Sequence, residues 1–595
     1  MALLDIDGFE ILGASAGDGV GYAVSSAGDV NGDGFDDLIV GAPGHGSGGA
    51  AYVLFGGGAG FPNVDLLSLD PADGVKLTGG AGDEAGTSVA SAGDLNGDGF
   101  ADLLVGAPGN GDAGTDAGAV YVVYGGTGLG DLALWAMAPS DGFKLTGAAA
   151  GDVDGDGYDD LIIGAPRNDD AGSNAGAAYV LHGRPTPSAD LSLAAVAAHG
   201  GTTIPGGAAG NQAGFAVSAA GDVNGDGYAD LAVGERFDDY GGTGEYRIIG
   251  ADLGDGTGIS VSSAGDINGD GFDDLIVGAY GDDAGGNNAG AAWVVFGPGA
   301  AASDVDLAAL GGGGYRITAA AAGDRAGIAV AAAGDVNADG FDDLIVGAHL
   351  NDAGGISAGA AYVLLGGNGS ADVDLVSPAA DGLRILGAAA GDMAGMSVSA
   401  AGDIDGDGFD DLIVGARYND SGDADAGAAY VILGSDLSQS VTHAGTDSGD
   451  VLTGTAFADI IVGGRGDDTI TGNGGADVLQ GGAGDDTISV PDIDFLRVDG
   501  GGGTDTIILD GSGIGFDLGL IADNRIAGIE AIDITGASPN SLTLGVADVI
   551  NTTGPSNTLA VIGDGDDTVI VTDSVWTLVD PHVGGFALYR SGGAT

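Results

Sequence analysis

The nine residues Asp29-Val30-Asn31-Gly32-Asp33-Gly34-Phe35-Asp36-Asp37 decide how this chain is read. Side-chain oxygens stand at positions 1, 3, 5 and 9, in Asp29, Asn31, Asp33 and Asp37, and the backbone carbonyl of Phe35 is available at position 7. Hard oxygen ligands at alternate positions of a tight loop suit Ca²⁺, and Gly34 at position 6 permits the sharp turn that folds both halves of the loop round one ion. One such loop is a weak signal, because acidic glycine-rich turns are common. Seven copies with the same ligand pattern are a strong one. The second supplies Asp94, Asn96, Asp98, Phe100 and Asp102, and the third Asp152, Asp154, Asp156, Tyr158 and Asp160. The fourth has Asp222, Asn224, Asp226, Tyr228 and Asp230, and the fifth Asp266, Asn268, Asp270, Phe272 and Asp274. The sixth has Asp335, Asn337, Asp339, Phe341 and Asp343, and the seventh Asp403, Asp405, Asp407, Phe409 and Asp411.

An EF-hand reading fails. That loop needs a bidentate Glu at position 12 and helices on both sides. Position 12 here is Val40, Val105, Ile163, Val233, Val277, Val346 or Val414, inside runs such as Asp37-Leu38-Ile39-Val40-Gly41-Ala42. Short apolar runs rich in β-branched residues and closed by Gly read as buried strands, so each loop joins two strands. Position 8 is Asp in Asp36, Asp159, Asp273, Asp342 and Asp410 but Ala in Ala101 and Ala229, so ligation does not require it.

The loop starts are separated by 65, 58, 70, 44, 69 and 68 residues, a period that predicts a propeller or solenoid. The second copy carries four strand-like pieces, at 87–92, 101–107, 118–125 and 142–147. Four short strands per unit with glycine-rich turns describe a propeller blade. The chain opens with a fourth-strand piece, Gly8-Phe9-Glu10-Ile11-Leu12-Gly13, and the seventh copy ends at Gly434 without one. The N-terminal segment is therefore expected to complete the last blade and remove an exposed edge.

The S-A-G-D-V-N-G-D-G-F-D-D-L-I-V-G-A-P core at 26–43 resembles the FG-GAP repeat, the unit of the β-propeller of integrin α chains. The resemblance covers roughly residues 5–437. It implies a seven-bladed propeller with Ca²⁺ in hairpin loops on one face, held at positions 1, 3, 5, 7 and 9. Two copies depart from the pattern. The third passes from Lys144-Leu145-Thr146-Gly147 to Asp152 with no room for a strand before the loop, and the fourth lacks a G-A-A-Y-V piece. Those two blades are expected to have three good strands each, or to borrow from neighbours.

From Gly445 the period drops to nine, in five abutting units that end at Ser489. Each has Asp at position 6, in Asp450, Asp459, Asp468, Asp477 and Asp486, with an apolar residue at position 8. The units at Gly463 and Gly481 fit G-G-x-G-x-D-x-U-x in full, and a degenerate sixth unit at 500–508 contains Asp505. These residues resemble the Ca²⁺-binding parallel β-helix repeat of RTX proteins. Recurrence every nine residues predicts that the Asp side chains stack in one column. Residues 511–595 lose the repeat but stay strand-like, similar to the tails that follow RTX repeats in bacterial surface and secreted proteins. The chain stops at Gly592-Gly593-Ala594-Thr595, where such a tail is expected to begin another strand. The expected fold is thus all-β: a propeller over 1–437, an RTX β-roll over 438–510 and a β-rich region over 511–595.

Composition narrows the function. The 595 residues include no Cys, which excludes a disulfide framework and a thiol enzyme. The net charge is −73. Seven loop ions would supply about +14 and the C-terminal repeats about +8, leaving roughly −50. That remainder repels nucleic acid and anionic lipid. No run of about 18 apolar residues exists to span a bilayer. The N-terminus, Met1-Ala2-Leu3-Leu4-Asp5-Ile6-Asp7, lacks the basic segment and cleavage site of a Sec signal, so export is expected by the type I route that the RTX resemblance implies. Arg465-Gly466-Asp467 spells an integrin-binding tripeptide, but the nonapeptide already requires its Gly. The six histidines show no zinc-type spacing. No nucleophile or acid–base pair stands out. The expected function is Ca²⁺-dependent adhesion to a protein or glycan at a cell surface or matrix. The alternatives are a Ca²⁺-dependent extracellular hydrolase scaffolded by the propeller, and a structural surface-layer or matrix protein.

Overall fold

The computed structural model describes the chain apart from residues 1–7, 59–61, 112–117, 146–147, 152, 154–157, 184–195, 197–200, 226–228, 236–247, 252–253, 298–303, 368, 370, 377–381, 437–439, 537–538, 554–557, 565–566, 573–576, 584–585 and 591–595. The D-L-I-V-G-A runs are strands buried on both faces, as in Asp37–Ala42, Asp102–Ala107, Asp274–Ala279, Asp343–Ala348 and Asp411–Ala416. A strand apolar on both sides must lie between two sheets, and here each blade is sandwiched by its neighbours. The glycine in the run marks the closest approach: a Cβ at Gly41, Gly347 or Gly415 would strike the carbonyl of Gly86, Gly395 or Gly21 in the next blade.

Seven blades form the ring, numbered here by their loops. In blade 2 the antiparallel order from the inside outward is Ser88–Gly93, Asp102–Ala107, Ala119–Val123 and Gly142–Leu145. The innermost strands touch in a closed circuit: Val24–Gly28, Ser88–Gly93, Ala148–Gly151, Ala213–Gly221, Ser260–Gly265, Ala329–Gly334, Ser397–Gly402, and back to the first. The ring closes as the sequence predicts. Gly8–Leu12 pairs antiparallel with Ala428–Ile432, in the register Phe9 to Val431 and Ile11 to Ala429, and becomes the outer strand of blade 7. Phe9 and Ile11 are both buried there. Deleting residues 1–13 removes both side chains and strips the last blade to three strands. Truncating two such side chains costs on the order of 5 kcal/mol, so the melting temperature of the propeller is expected to drop. Unchanged thermal unfolding by circular dichroism would refute this strand's role in closure.

Blade 3 corrects the expectation of three strands. Ala148–Gly151, Asp160–Gly164, Ala177–Leu181 and Thr202–Pro205 form a complete sheet. Room for the first strand exists because inner strands are short, and only residues 146–147 separate it from the outer strand of blade 2. In blade 4, Ala213–Gly221 and Asp230–Glu235 pair with each other, and Ile248–Ile249 pairs with Val305–Asp306. Residues 236–247, which follow Asp230–Glu235, lie outside the described residues.

The connections between third and fourth strands add a feature with no signature in the repeat. Val64–Asp65, Leu132–Ala133, Val305–Asp306 and Val373–Asp374 each pair in parallel with an outermost strand of the preceding blade. They cover outer edges that would otherwise offer free backbone groups.

The C-terminal part is a parallel β-helix. One sheet runs His443–Ala444, Ile460–Arg465, Val478–Ala483, Arg497–Gly502 and Ile526–Ala527. The other runs Val451–Thr453, Thr469–Thr471, Thr487–Val490, Thr506–Leu509, Ala531–Asp533 and Ala560–Ile562. Ile460 pairs with Val478 and Thr469 with Thr487, so one coil is eighteen residues, or two nonapeptides. The coils continue past residue 510 with a third sheet, Gly515–Asp517, Ser541–Leu544 and Thr568–Val571. A single apolar core runs from Ile461 to Val549.

The helix lies against the propeller face that carries the seven loops. Ideal side chains at Gly340 and Gly408, both at position 6 of their loops, would meet Val478 and Val462, and Gly34 touches Gly502 backbone to backbone. Two arginines cross the contact. Arg465 pairs with Asp405 at 3.0 Å, and Arg497 with Asp342 at 3.1 Å.

Candidate metal centre

The loops are organised by their first and ninth residues. Asp94 Oδ1 accepts the N–H groups of Gly97 and Asp98, and Oδ2 that of Gly99. Asp29, Asp266 and Asp403 repeat this pattern, Asp335 does so with its position-5 and position-6 amides, and Asp222 accepts from Gly225. A short side chain that binds the amides following it bends the chain over itself, which is why Asp opens every copy. The position-9 residue ties the loop to the sheet. Asp37 accepts from Val30 at 3.0 Å and from Gly56, past the third strand, at 2.8 Å. Asp102, Asp160, Asp274, Asp343 and Asp411 accept the equivalent amide of Gly125, Gly183, Gly297, Gly366 or Gly434.

Positions 3 and 5 close the ring of oxygens. Asn96, Asn224 and Asn268 turn their side chains to Asp102, Asp230 and Asp274 across the loop. Asn337 instead accepts from the Asp339 amide, and Asn31 is partly buried in its loop. Asp33, Asp98, Asp270, Asp339 and Asp407 each accept the N–H of the position-7 residue, Phe35, Phe100, Phe272, Phe341 or Phe409, at 3.1–3.2 Å. In loop 7, oxygens of Asp403, Asp405 and Asp411 lie within 4.8 Å of one another. Asp152, Asp154 and Asp156 of loop 3 and Asp226 and Tyr228 of loop 4 lie outside the described residues, whereas Tyr158 is described and half-buried.

The electrostatics suit a divalent cation. Burial, ahead of every other cause, pushes the carboxyls of Asp37, Asp102 and Asp274 up to about 8, and those of Asp343, Asp403 and Asp411 well above the ordinary carboxylate value. Neighbouring carboxylates add to the rise. Buried charges of one sign need a counter-charge, and Ca²⁺ accepts oxygens of this kind. Asp405 Oδ1 is buried with no hydrogen-bond partner, an orphaned acceptor inside the loop-7 cluster. Asp29, Asn31, Asp33, Phe35 and Asp37, and their described counterparts in the other loops, thus present a set of oxygens of the kind Ca²⁺ takes.

Sequence reasoning assigned no task to position 8, and the structure gives it one between blades. Asp159 Oδ2 accepts the N–H of Asp94 at 2.8 Å, Asp273 that of Asp222, Asp342 that of Asp266, and Asp410 that of Asp335. Asp36 accepts from Asp403 and completes the blade 1 to blade 7 junction. Each carboxylate reaches from one blade into the loop of the blade before it. Where position 8 is Ala101, the backbone contact alone remains: its N–H donates to the Asp29 carbonyl at 3.0 Å, as those of Asp273 and Asp410 do to Asp222 and Asp335. The position-7 rings pack the same way, Phe100 against Gly32 and Phe272 against Gly225. No pattern within one repeat could have shown this, because the partner lies in the next.

The β-helix also corrects an expectation. The Asp residues form two columns, since nine residues advance the chain half a coil. One column is Asp450, Asp468, Asp486 and Asp505. The N–H of each donates to Oδ1 of the next, at 2.5, 2.7 and 2.7 Å. The other contains Asp459 and Asp477, joined at 2.9 Å. Oδ2 of Asp468, Asp486 and Asp505 is buried without a partner. Burial first and the neighbouring acids next push Asp486 up to about 7 and Asp505 up to about 8.

Other singled-out residues fall into structural places. Arg465 of the R-G-D tripeptide points into loop 7, where its Nε also donates to the Asp405 carbonyl. Trp293, Tyr362, Tyr430 and Tyr179 are buried in the sheets. His45 pairs with Asp18 and His182 with Asp160. His349 is buried, His443 is half-buried, and His199 and the side chain of His582 lie outside the described residues. Among the described residues, no helix is long and apolar enough to cross a membrane.

Comparison with known proteins agrees with this geometry. The FG-GAP repeat matches at 20–54, 85–123, 145–181, 213–249, 257–295, 326–364 and 394–432, one match per blade. The RTX calcium-binding nonapeptide repeat matches at 445–479 and 453–488. Among curated relatives, phosphatidylinositol-glycan-specific phospholipase D of Bos taurus is 40% identical over 112 residues, 18% of this chain and 13% of the relative. Integrin alpha-7 of Homo sapiens is 39% identical over 112 residues, 18% of this chain and 8% of the relative. Integrin alpha-PS2 of Drosophila melanogaster is 35% identical over 126 residues, 20% of this chain and 8% of the relative. The matched stretch is thus a small part of each relative's length. With one FG-GAP match on each blade and nonapeptide matches on the coils, the chain is built of seven FG-GAP repeats followed by RTX calcium-binding repeats.

Proposed function

We propose that this protein is a secreted, Ca²⁺-dependent adhesion protein whose propeller presents a binding face to a protein or glycan. One observation carries the reading: the protein's own β-helix lies on the loop face of the propeller, against loops 1, 5, 6 and 7. The loops hold Ca²⁺ as internal structure, and the face left for a ligand is the opposite one. That face is built from connections between second and third strands, which run eleven or twelve residues in blades 2, 3, 5, 6 and 7 and carry Asp169, Asp170, Asp283, Asp352 and Asp420. Variable loops on a rigid scaffold are where propellers place specificity. The acidic side chains favour a basic protein surface, or a sugar held through further Ca²⁺. In this reading the coils stay unfolded in low Ca²⁺, leave by type I export and fold outside.

The test is an array of matrix proteins and glycans probed with the full chain in millimolar Ca²⁺ and in EGTA. Retention in Ca²⁺ that EGTA abolishes is expected. The phospholipase relatives supply a second reading, a Ca²⁺-dependent phosphodiesterase on the same scaffold. Release of product from a phosphodiester substrate without retention would favour it. Neither retention nor product, with the fold intact, would leave a structural exoprotein.

A further inference from the structure

We infer that Glu530, beyond the last nonapeptide, completes one more Ca²⁺ site together with Asp505 in the next coil of the β-helix. The inference rests on the calcium reading of the coils and extends it to a turn with no repeat motif. Glu530 continues the carboxylate ladder: the N–H of Asp505 donates to Glu530 Oε2 at 2.9 Å, as the N–H of Asp486 donates to Asp505 Oδ1 at 2.7 Å. The pairing of Thr506 with Ala531 puts Glu530 in register beneath Asp505.

The glycine side of the turn is rebuilt as well. In the nonapeptide coils, a Cβ on Gly463 would collide with both the Gly481 carbonyl and Asp468 Oδ2, and one on Gly481 with both the Gly500 carbonyl and Asp486 Oδ2. At Gly500 the same two kinds of oxygen converge, now from the Gly528 carbonyl and Asp505 Oδ2. Asp505 is fully buried, and its Oδ2 has no hydrogen-bond partner. An orphaned carboxylate oxygen in a cradle that only glycine tolerates matches the two cradles above it, where the nonapeptide motif is complete.

A nonapeptide sets its acid five positions after its turn glycine, as from Gly481 to Asp486, whereas Gly528 and Glu530 are two apart. The backbone ladder continues across the shorter turn, the Ala531 N–H donating to the Asp505 carbonyl at 2.9 Å as the Thr506 N–H does to that of Asp486, and Glu530 sets its carboxylate in the column. Asp505 and Glu530 offer two charged carboxylates with a glycine carbonyl beside them, a donor set for a hard divalent cation.

The experiment counts bound Ca²⁺ per full-length chain by equilibrium dialysis and follows thermal unfolding in Ca²⁺. It compares the parent with Glu530→Gln, Glu530→Ala and Asp468→Asn. Glu530→Gln keeps an acceptor for the Asp505 N–H and removes the charge. It is expected to lose one Ca²⁺ per chain and to melt at lower temperature in Ca²⁺, with no such fall in EGTA. Full Ca²⁺ stoichiometry in Glu530→Gln, alongside a loss in Asp468→Asn, overturns this site and leaves the repeat reading standing. Full stoichiometry in all variants overturns both. If Glu530→Gln and Glu530→Ala lose the same ion, the carboxylate rather than the hydrogen bond is responsible.

Discussion

Chelation of Ca²⁺ at pH 8 is expected to unfold the coils from His443 to Ile562 and to restore them as Ca²⁺ returns, with a midpoint above about 10⁻⁵ M. The coils hold buried carboxylates stacked at single-coil spacing, three of them with an oxygen that bonds to nothing in the protein. Without a cation they are like charges in a medium of low dielectric. Glycine-rich turns add a large loss of chain entropy on ordering. Acid should act in the opposite sense in the two states. In the metal-free protein Asp486 and Asp505 titrate at about 7 and about 8, above their value in the unfolded chain. The folded metal-free state therefore binds more protons between about pH 4 and 8, and its stability falls as pH rises through that window. With Ca²⁺ present the carboxylates must be deprotonated to bind, so stability rises over the same window. Circular dichroism melts at pH 5.5 and 8, in EGTA and in millimolar Ca²⁺, should show the two slopes with opposite sign. Full β signal in EGTA at pH 8, with a melt that ignores Ca²⁺, would remove the basis for folding after export.

The parts of this architecture that were legible in the sequence are the parts whose cause is local. Asp29 bends its own loop, and Leu38 to Val40 are apolar on both sides, so loop and strand could be read from nine and six residues. Closure was legible because Gly8–Leu12 is a strand type the last repeat lacks. What stayed hidden is relational. The position-8 carboxylates act on the loop of the preceding blade, some seventy residues away, and a substitution such as Ala101 that keeps the contact through the backbone disguises the pattern. The nine-residue period states how often Asp recurs but not how many residues close a coil. Two columns follow only from the pairing of Thr469 with Thr487. Glu530 escaped because its turn is three residues shorter than the motif.

Replacing Arg497 by Ala is expected to destabilise the Ca²⁺-loaded protein by about 3–5 kcal/mol and to split its unfolding into two transitions. Arg497 enters the ring of inter-blade carboxylates. Its Nη1 meets Asp342 at 3.1 Å and its Nη2 meets Asp499 at 3.4 Å, with Asp335 and Asp410 adding to the field. Burial alone would lower its pKa. The four acids more than reverse that and hold the guanidinium above its ordinary value. Asp342 and Asp410 are the carboxylates that bind blade 6 to blade 5 and blade 7 to blade 6. Burial first pushes Asp410 up to about 6 and Asp335 up to about 8 even with the arginine beside them. Removing the cation leaves those acids facing one another under the β-helix, and protonating or hydrating them means lifting the helix off the propeller. Propeller and coils then melt separately. Arg497→Lys should restore part of the loss, since it keeps the charge but not the two-pronged geometry. Calorimetry that shows one transition at the parental temperature for Arg497→Ala would mean that this arginine holds neither the ring nor the contact.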